Sequence, residues 1–268
     1  MSRVLGVIPA RLGSSRLPRK PLQPLLGKPL ILWVWERARR MDFLERVVVA
    51  TDSDEVAEVC REAGAEVLST SSRHPTGSDR VWEVAERLAG GFDVAVNIQG
   101  DEPLVAPETV RAAVAMVESG FEAGTCATAV RDAEELRDPS VVKVVRAGDG
   151  RALYFSRAAI PYGHDGTGGQ RPWRPGRHLR HVGIYAYGPE ALARWVGFDR
   201  SALEVEEGLE QLRALENGMR IGVALVAEAA AGVDTPQDLA RMERRLRAMG
   251  YGPGGVRAAI RNETAGVA

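Results

Sequence analysis

The stretch RVVVATDSDEVAEVCREAGAEVLST, Arg46 to Thr70, decides the fold class. A β-branched run through Thr51 gives way at Asp52, Ser53 and Asp54 to residues that start helices. Their side-chain oxygens can accept the unpaired first-turn N–H groups, and their acidic charge suits the positive end of the helix dipole. An amphipathic segment follows, then a second strand-like run, AEVLST, at residues 65–70. The same alternation extends to both sides. RVLGVIPA (3–10) precedes a helix from Pro29, another helix follows Gly77, and DVAVNIQG (93–100) precedes a helix after Pro107. This β-α rhythm predicts an α/β fold with a mixed, mostly parallel sheet covered by helices on both faces. Ligands of such sheets bind beyond the strand C-termini, so chemistry is sought in the loops there.

After Gly124 the rhythm changes. GTCATAV (124–130) reads as a strand, and VVKVVRAGDGRALYFS (141–156) as a hairpin turning at Gly148, Asp149 and Gly150. HLRHVGIYAYG (178–188) reads as a strand, Ala202 to Asn217 as one helix closed by Gly218, and RIGVALVAE (220–228) as a strand before a last helix from Pro236. Gly163 to Arg177, rich in Gly, Pro and Arg, reads as a surface loop, and the tail after Tyr251 as frayed.

Bulk properties narrow the function. With 268 residues, 45% apolar and 26% charged, the chain fits a globular protein with a sizeable core. It carries neither a signal-peptide pattern nor an apolar run of about 18 residues, so a cytoplasmic protein without a membrane partner is expected. A net charge of −1 argues against a nucleic-acid partner. The two cysteines, Cys60 and Cys126, show no metal-ligand spacing and read as core thiols.

Against that neutral background VIPARLGSSRLPRKPLQPLLGKPL (7–30) concentrates Arg11, Arg16, Arg19, Lys20 and Lys28 just after the first strand. Small residues at Ala10, Gly13, Ser14 and Ser15 let backbone N–H groups approach a ligand, and the cations suit phosphate oxygens. No G-x-G-x-x-G is present, and Pro29 stands where a P-loop needs Ser or Thr. Charge alone leaves a phosphate site and a solvated loop both open.

In VNIQGDEPL (96–104), strand alternation places Asn97, Gln99 and Asp101 on one side and Glu102 on the other. An Asp at such a strand end can hold Mg²⁺ or simply cap the next turn. In GVDTPQDL (232–239), Asp234 before Thr235-Pro236 reads by default as an N-cap. Helical spacing puts Glu210 roughly opposite the stripe of Leu209, Leu212 and Leu215, hence in solvent. Arg80, Arg157 and His181 could each receive an anion or be structural. Asp52-Ser53-Asp54 also has the D-x-D spacing of metal-dependent glycosyltransferases, although helix-start chemistry accounts for every residue of it.

Taken together, IPARLGSSRLPRKPL, VVVATDSDEV, HPTGSDR, VNIQGDEP, VKVV, ALYFSRAAIP, RHVGIYAY, LEQLR and GVDTPQDL, in that order, resemble the 3-deoxy-D-manno-octulosonate (Kdo) cytidylyltransferases, or CMP-Kdo synthetases, over about Val4 to Met249. The resemblance implies a Rossmann-like nucleotidyltransferase sheet in one domain over 1–250. Residues 1–123 and 219–250 would form its nucleotide-binding core, 124–218 a smaller α+β sugar-side and dimerisation part, and 251–268 the tail. It implies CMP transfer from CTP to Kdo with Mg²⁺ and release of pyrophosphate, for lipopolysaccharide synthesis, by a homodimer. Arg11, Arg16 and Lys20 would meet the triphosphate, and Ala10, Arg11, Ser14, Gly77, Ser78 and Gln99 would complete the nucleotide site. Asp101 and Asp234 would hold the metal. Arg80, Gln99, Arg157, His181, Tyr185, Glu210 and Gln211 would surround the sugar. Arg11, Lys20, Asp101 and Asp234 are the implied catalytic set, with no covalent nucleophile or general base.

Two departures stand out. Arg19 replaces the glycine of the family's RLPGKPL, which is strained if that position needs a positive φ. The 163–177 loop does not align. A cytidylyltransferase for 8-amino-Kdo or a sialic acid is the near alternative; a D-x-D glycosyltransferase or a nucleotide-binding regulator is the distant one.

Overall fold

The computed structural model describes residues 2–255 except 15, 89–90, 166, 168–172 and 230. The first half alternates as its sequence requires: β1 (Val4–Ala10), a small hairpin of β2 (Pro24–Leu25) and β3 (Lys28–Pro29), α1 (Leu30–Ala38), β4 (Leu44–Thr51), α2 (Asp54–Glu62), β5 (Glu66–Ser69), α3 (Gly77–Arg87), β6 (Val94–Asn97) and α4 (Pro107–Glu118). The second half follows with β7 (Ala123–Ala129), α5 (Ala133–Arg137), β8 (Lys143–Arg146), β9 (Ala152–Ser156), β10 (Leu179–Tyr187), α6 (Pro189–Gly197), α7 (Ala202–Glu207), α8 (Gln211–Glu216), β11 (Ile221–Leu225) and α9 (Pro236–Ala248).

Among the described residues nine strands form one sheet in the order β11-β7-β10-β6-β1-β4-β5, with β8 and β9 added through β10. The strands β5, β4, β1 and β6 are mutually parallel, as are β7 and β11. The strand β10 runs antiparallel between β6 and β7 and is the mixed element of the sheet. Its pairing begins at Leu179 opposite Ala129 and reaches Asn97 only at Tyr185, so its first half projects past the end of β6 into the ligand edge. Segment 124–218 therefore supplies nearly all of β7 and the whole of β10 to the central sheet and adds the β8–β9 hairpin and four short helices, of which α6 and α8 pack on the sheet face beside α3.

Period-two alternation divides each strand between two cores. From β1 and β10, Ile8, Ile184 and Ala186 turn toward α1, α2 and α4, while Leu5, Val7, Tyr185 and Tyr187 turn toward α3, α6 and α8. A third cluster joins Leu17, Leu25, Trp33 and Leu104 to Val233, Met242 and Leu246, clamping α9 onto the segment after β1. Glu243 of α9 accepts the Leu26 amide at 3.0 Å, fixing the same contact with a polar bond. Cys60 and Cys126 are buried free thiols, and burial pushes them up to about 11 and about 12, far from thiolate reactivity.

Three local expectations are corrected. The helix expected over 202–217 is two: Gly208 adopts φ 62, closes α7 and redirects the chain before α8. The strand expected over 93–100 ends at Asn97, because the chain turns there and the Glu102 amide bonds the Gln99 carbonyl at 3.2 Å. The stretch after Tyr251 does not fray at once: Pro253–Gly255 forms a short 3-10 turn and the Gly254 amide donates to the Leu26 carbonyl at 2.7 Å. Residues 256–268, and part of the 163–177 loop, lie outside the described residues.

Candidate active site

The third core cluster builds the centre of the site. Leu17, Leu104 and Val233 pack together, and these residues neighbour Arg16, Asp101 and Asp234 in sequence. The Val233 amide also donates to the Asp101 carbonyl at 2.9 Å, locking the loop before α9 to the loop after β6. Asp234 does not cap α9. Thr235 does so in a reciprocal capping box with Asp238, which frees the Asp234 carboxylate for another partner. That partner is Lys20, whose Nζ donates to Asp101 Oδ2 at 2.5 Å and to Asp234 Oδ1 at 2.8 Å. Arg16 reaches the same Asp234 oxygen at 3.2 Å. Burial would lower the Lys20 pKa, but the two carboxylates outweigh it and hold it above its usual value.

Lys20 is positioned by an uncommon backbone. Arg19 sits in the left-handed region at φ 55, ψ 34 and leads into the 3-10 turn Lys20–Leu22, whose Pro21 is buried. A glycine would enter this conformation without steric cost. The Arg19 guanidinium leaves the site altogether and pairs with Glu55 of α2. Lys28 is likewise absorbed elsewhere, paired with Glu36 at 2.8 Å and lying over the Trp33 ring at 4.3 Å.

Three cavities meet at Gln99, whose Nε2 donates to the Gly183 carbonyl at 2.8 Å. The first, about 210 Å³, is walled by Ala10, Arg11, Lys20, Gly77, Arg80 and Asp101. The second, about 590 Å³, is walled by Asp101, Glu102, Arg180, His181, Tyr185 and Asp234. The third, about 180 Å³, is walled by Ser78, Asn97, Tyr185, Trp195, Glu210 and Gln211. Gly77 begins α3 against Asn97, and a Cβ there would come within 3.2 Å of Asn97 Nδ2, so the bare backbone faces the first and third cavities.

Of the residues singled out in the sequence, Glu210 moves furthest from its wheel position. Because Gly208 breaks the helix, Glu210 precedes α8 and turns inward, accepting from Trp195 Nε1 at 2.8 Å. Burial raises its carboxyl, with the Trp195 and Ser78 hydrogen bonds opposing. Gln211 and Ser78 are buried in the same cavity, Ser78 within 3.1 Å of the Tyr187 hydroxyl. The Tyr185 hydroxyl and Asn97 Oδ1 are buried without a protein partner. In the second cavity burial pushes His181 down to about 3, and its Nε2 lies 2.9 Å from Thr125 Oγ1.

Arg80, grouped with the sugar in the sequence reading, lines the first cavity instead. One turn into α3, it is buried and bonded to Thr70 at 2.7 Å and Asp52 at 3.1 Å. Asp52 thus serves Arg80 while Ser53 caps α2, and the D-x-D spacing converges on no site. Arg157 lines none of the three cavities; it is tied to Glu207 and the Pro139 carbonyl. Ser14 accepts the Leu17 amide at 3.3 Å and shapes the loop. Asn97, Glu102, Arg180 and Trp195 were not singled out as site residues. Alternation in VNIQGD put Asn97 beside Gln99, whereas Trp195 sits on α6, a helix the pattern did not reveal.

Glu102 carries a pH signature. It is 9% exposed with Oε2 unpartnered, and burial, then the Asp101 charge, pushes it up to about 8 against the partial opposition of Arg180. The folded protein holds it protonated, while the unfolded chain ionises it near 4.5. Its contribution to stability is therefore whole below that value and lost as pH rises toward 8. Between about pH 5 and 8 the unfolding free energy should fall by roughly 3–5 kcal/mol more in the wild type than in Glu102→Gln. Urea titrations across that range measure it, and parallel profiles would refute a protonated Glu102.

Two carboxylates from separate segments that meet on one nitrogen could equally meet on a cation. Among the described residues no third carboxylate, His or Cys joins them. Such a donor set suits a hard ion that takes its other ligands from phosphate and water, as Mg²⁺ does.

Comparison with known proteins gives the family. The cytidylyltransferase family model matches residues 5–221. A 3-deoxy-manno-octulosonate cytidylyltransferase of Gemmatimonas aurantiaca is 48% identical over 89% of this chain and 92% of its own length. Its counterpart in Pseudomonas fluorescens is 47% identical over 90% and 97%. The solved structure of a CMP:2-keto-3-deoxy-manno-octonic acid synthetase complexed with CTP superposes with a TM-score of 0.84 at 37% identity, covering 92% of this chain and 99% of that one. A cytidylyltransferase from Leptospira borgpetersenii, at 17% identity and a TM-score of 0.59, shares the fold.

Proposed function

The chain belongs to the cytidylyltransferase family, and on that premise we propose that it transfers CMP from CTP to 3-deoxy-manno-octulosonate, releasing pyrophosphate. The observation that carries the reading is the junction at Gln99, where a cation-lined cavity opens into two polar cavities beside the Asp101–Lys20–Asp234 cluster. The first cavity takes the nucleotide, with Ala10, Arg11 and Gly77 about the base and ribose, while Ser78, grouped with the nucleotide by resemblance, lines the third cavity. The other two, which share Gln99 and Tyr185, take the sugar between His181 on one side and Glu210 and Gln211 on the other.

The chemistry is an in-line attack by a sugar hydroxyl on the α-phosphorus of a polyanion, by a substrate that itself bears a carboxylate. Mutual repulsion is the main obstacle, and Arg11, Arg16 and Lys20 offset it on the phosphates. Arg80, fixed by Thr70 and Asp52, adds a pre-oriented charge that needs no reorganisation. Held neutral by burial, His181 offers the sugar a hydrogen bond without a charge. Asp101 and Asp234 would hold Mg²⁺, and the ion would supply charge neutralisation on the phosphates and Lewis-acid polarisation of a hydroxyl. Catalysis is then positioning and electrostatics.

The same reading places the enzyme in the cytoplasm, feeding lipopolysaccharide synthesis, as a homodimer. No helix among the described residues is long and apolar enough to cross a membrane. The exposed apolar residues Leu153 on β9 and Val205 on α7, at 49% and 61%, support a partner surface on those elements. Pyrophosphate release with CTP, Mg²⁺ and a panel of acidic sugars tests the assignment. Turnover is expected with Kdo; turnover with a sialic acid or 8-amino-Kdo but none with Kdo would replace the sugar.

A further inference from the structure

The cation at the crossing of Asp101 and Asp234 belongs to the protein itself. Lys20 Nζ touches both carboxylates, at 2.5 and 2.8 Å, and its side chain is only 19% exposed. A divalent ion using the same two oxygens would have to stand where the ammonium stands, and the two cannot share the place. The backbone of Lys20 is not free to retreat. It is held by the left-handed Arg19, by the Arg19–Glu55 ion pair and by buried Pro21. The flexible four-carbon stem is the part that can move. Lys20 also lines the first cavity beside Arg11, so a triphosphate bound there lies within reach of the same nitrogen.

Resting on the cytidylyltransferase reading, we infer that Lys20 acts as a stand-in cation: it occupies the carboxylate pair in the nucleotide-free protein and yields it to a divalent ion when phosphate oxygens draw the ammonium away. Three consequences follow from that exchange. The nucleotide-free protein binds divalent ions weakly, because the ion must displace an internal ion pair. Nucleotide opens the site by giving Lys20 a second anionic partner. By linkage, the ion then raises nucleotide affinity by the same factor that the nucleotide raises the ion's. Arg16, 66% exposed and bonded to Asp234 at 3.2 Å, is a second cation on the pair and moves with less hindrance.

The experiment measures Mn²⁺ binding to the full-length, nucleotide-free protein from the electron-paramagnetic signal of the free ion. Lys20→Met and Lys20→Gln should each bind Mn²⁺ at least tenfold more tightly than the wild type. Lys20→Arg, which keeps the charge, should stay weak, and adding Asp101→Asn to Lys20→Met should abolish the gain. Thermal unfolding of each variant establishes that it is folded, and the Gln variant carries the test if Met fails to fold. Mn²⁺ affinity in both charge-removing variants within twofold of the wild type would overturn the inference. So would a gain that survives Asp101→Asn, or an equal gain in Lys20→Arg. Pyrophosphate release by the wild type is measured separately, so a wrong substrate and a wrong role for Lys20 give different patterns.

Discussion

Asp101→Asn and Asp234→Asn are each expected to lower turnover of CTP with Kdo on the order of 10²- to 10³-fold while leaving a folded protein. Asn keeps the shape of Asp and one acceptor oxygen but removes the charge. Each variant therefore leaves Lys20 one anionic partner and leaves an incoming cation one anionic ligand. The comparison that gives this weight is Asp52→Asn. Asp52 lies behind Arg80, at 3.1 Å, and an amide oxygen can still accept that hydrogen bond. Its loss should raise the KM for CTP and change turnover by less than about tenfold, as expected for a residue that acts through another. Steady-state pyrophosphate release, read beside thermal unfolding, measures all three. If Asp52→Asn were the inactive variant and Asp101→Asn retained turnover, the D-x-D pair would be the metal site and the present assignment would fall.

Gly124→Ala should cost at least about 3 kcal/mol of stability, beyond the usual range for overpacking. Gly124 on β7 pairs with Gly222 on β11, and both lie under α4. A Cβ on Gly124 would stand 2.0 Å from the Ala113 carbonyl oxygen and 2.8 Å from Met116 Cβ. The first obstacle is helix backbone, which cannot rotate away, so either α4 lifts or the β7–β11 edge shifts. At Gly222 the nearest atoms belong to the Phe121 ring, at 2.6 Å, and a side chain has more room to give. A fall in thermal midpoint of roughly 6–12 °C for Gly124→Ala follows from the entropy of unfolding for a chain of this size. Calorimetry checks it, and a midpoint unchanged within a degree would mean that α4 does not press on the sheet as closely as described. Because β7 also carries Thr125, the hydrogen-bond partner of His181, sugar affinity should weaken before the protein unfolds.

Much of this architecture was legible in one dimension. The stretch 46–70 specifies a strand, a capped helix and a second strand, and β4, α2 and β5 lie within it with Ser53 at the cap. The hairpin at 148–150 and the last helix from Pro236 were equally local, since turn and cap chemistry act over a few residues. Where local rules misled, the cause was specific. Asp234 looked like an N-cap because Asp caps well, yet Thr235 is one residue nearer the helix and takes the role. Glu210 looked solvated because the wheel assumed one helix, and a single left-handed glycine at 208 rotated it inward.

Arg19 marks the boundary between what a sequence states and what only tertiary structure decides. Its departure from a glycine consensus, the clustering of cations after β1 and the order of the nine motifs were all in the chain, because they depend on residue type and spacing. That Arg19 takes a positive φ and turns its charge to Glu55, and that Lys20 bridges Asp101 and Asp234, required the fold. Those partners lie 36, 81 and 214 residues apart in the chain. No local propensity reaches so far; apolar packing of Leu17, Leu104 and Val233 brings the charges together, and short-range electrostatics then chooses which pairs form.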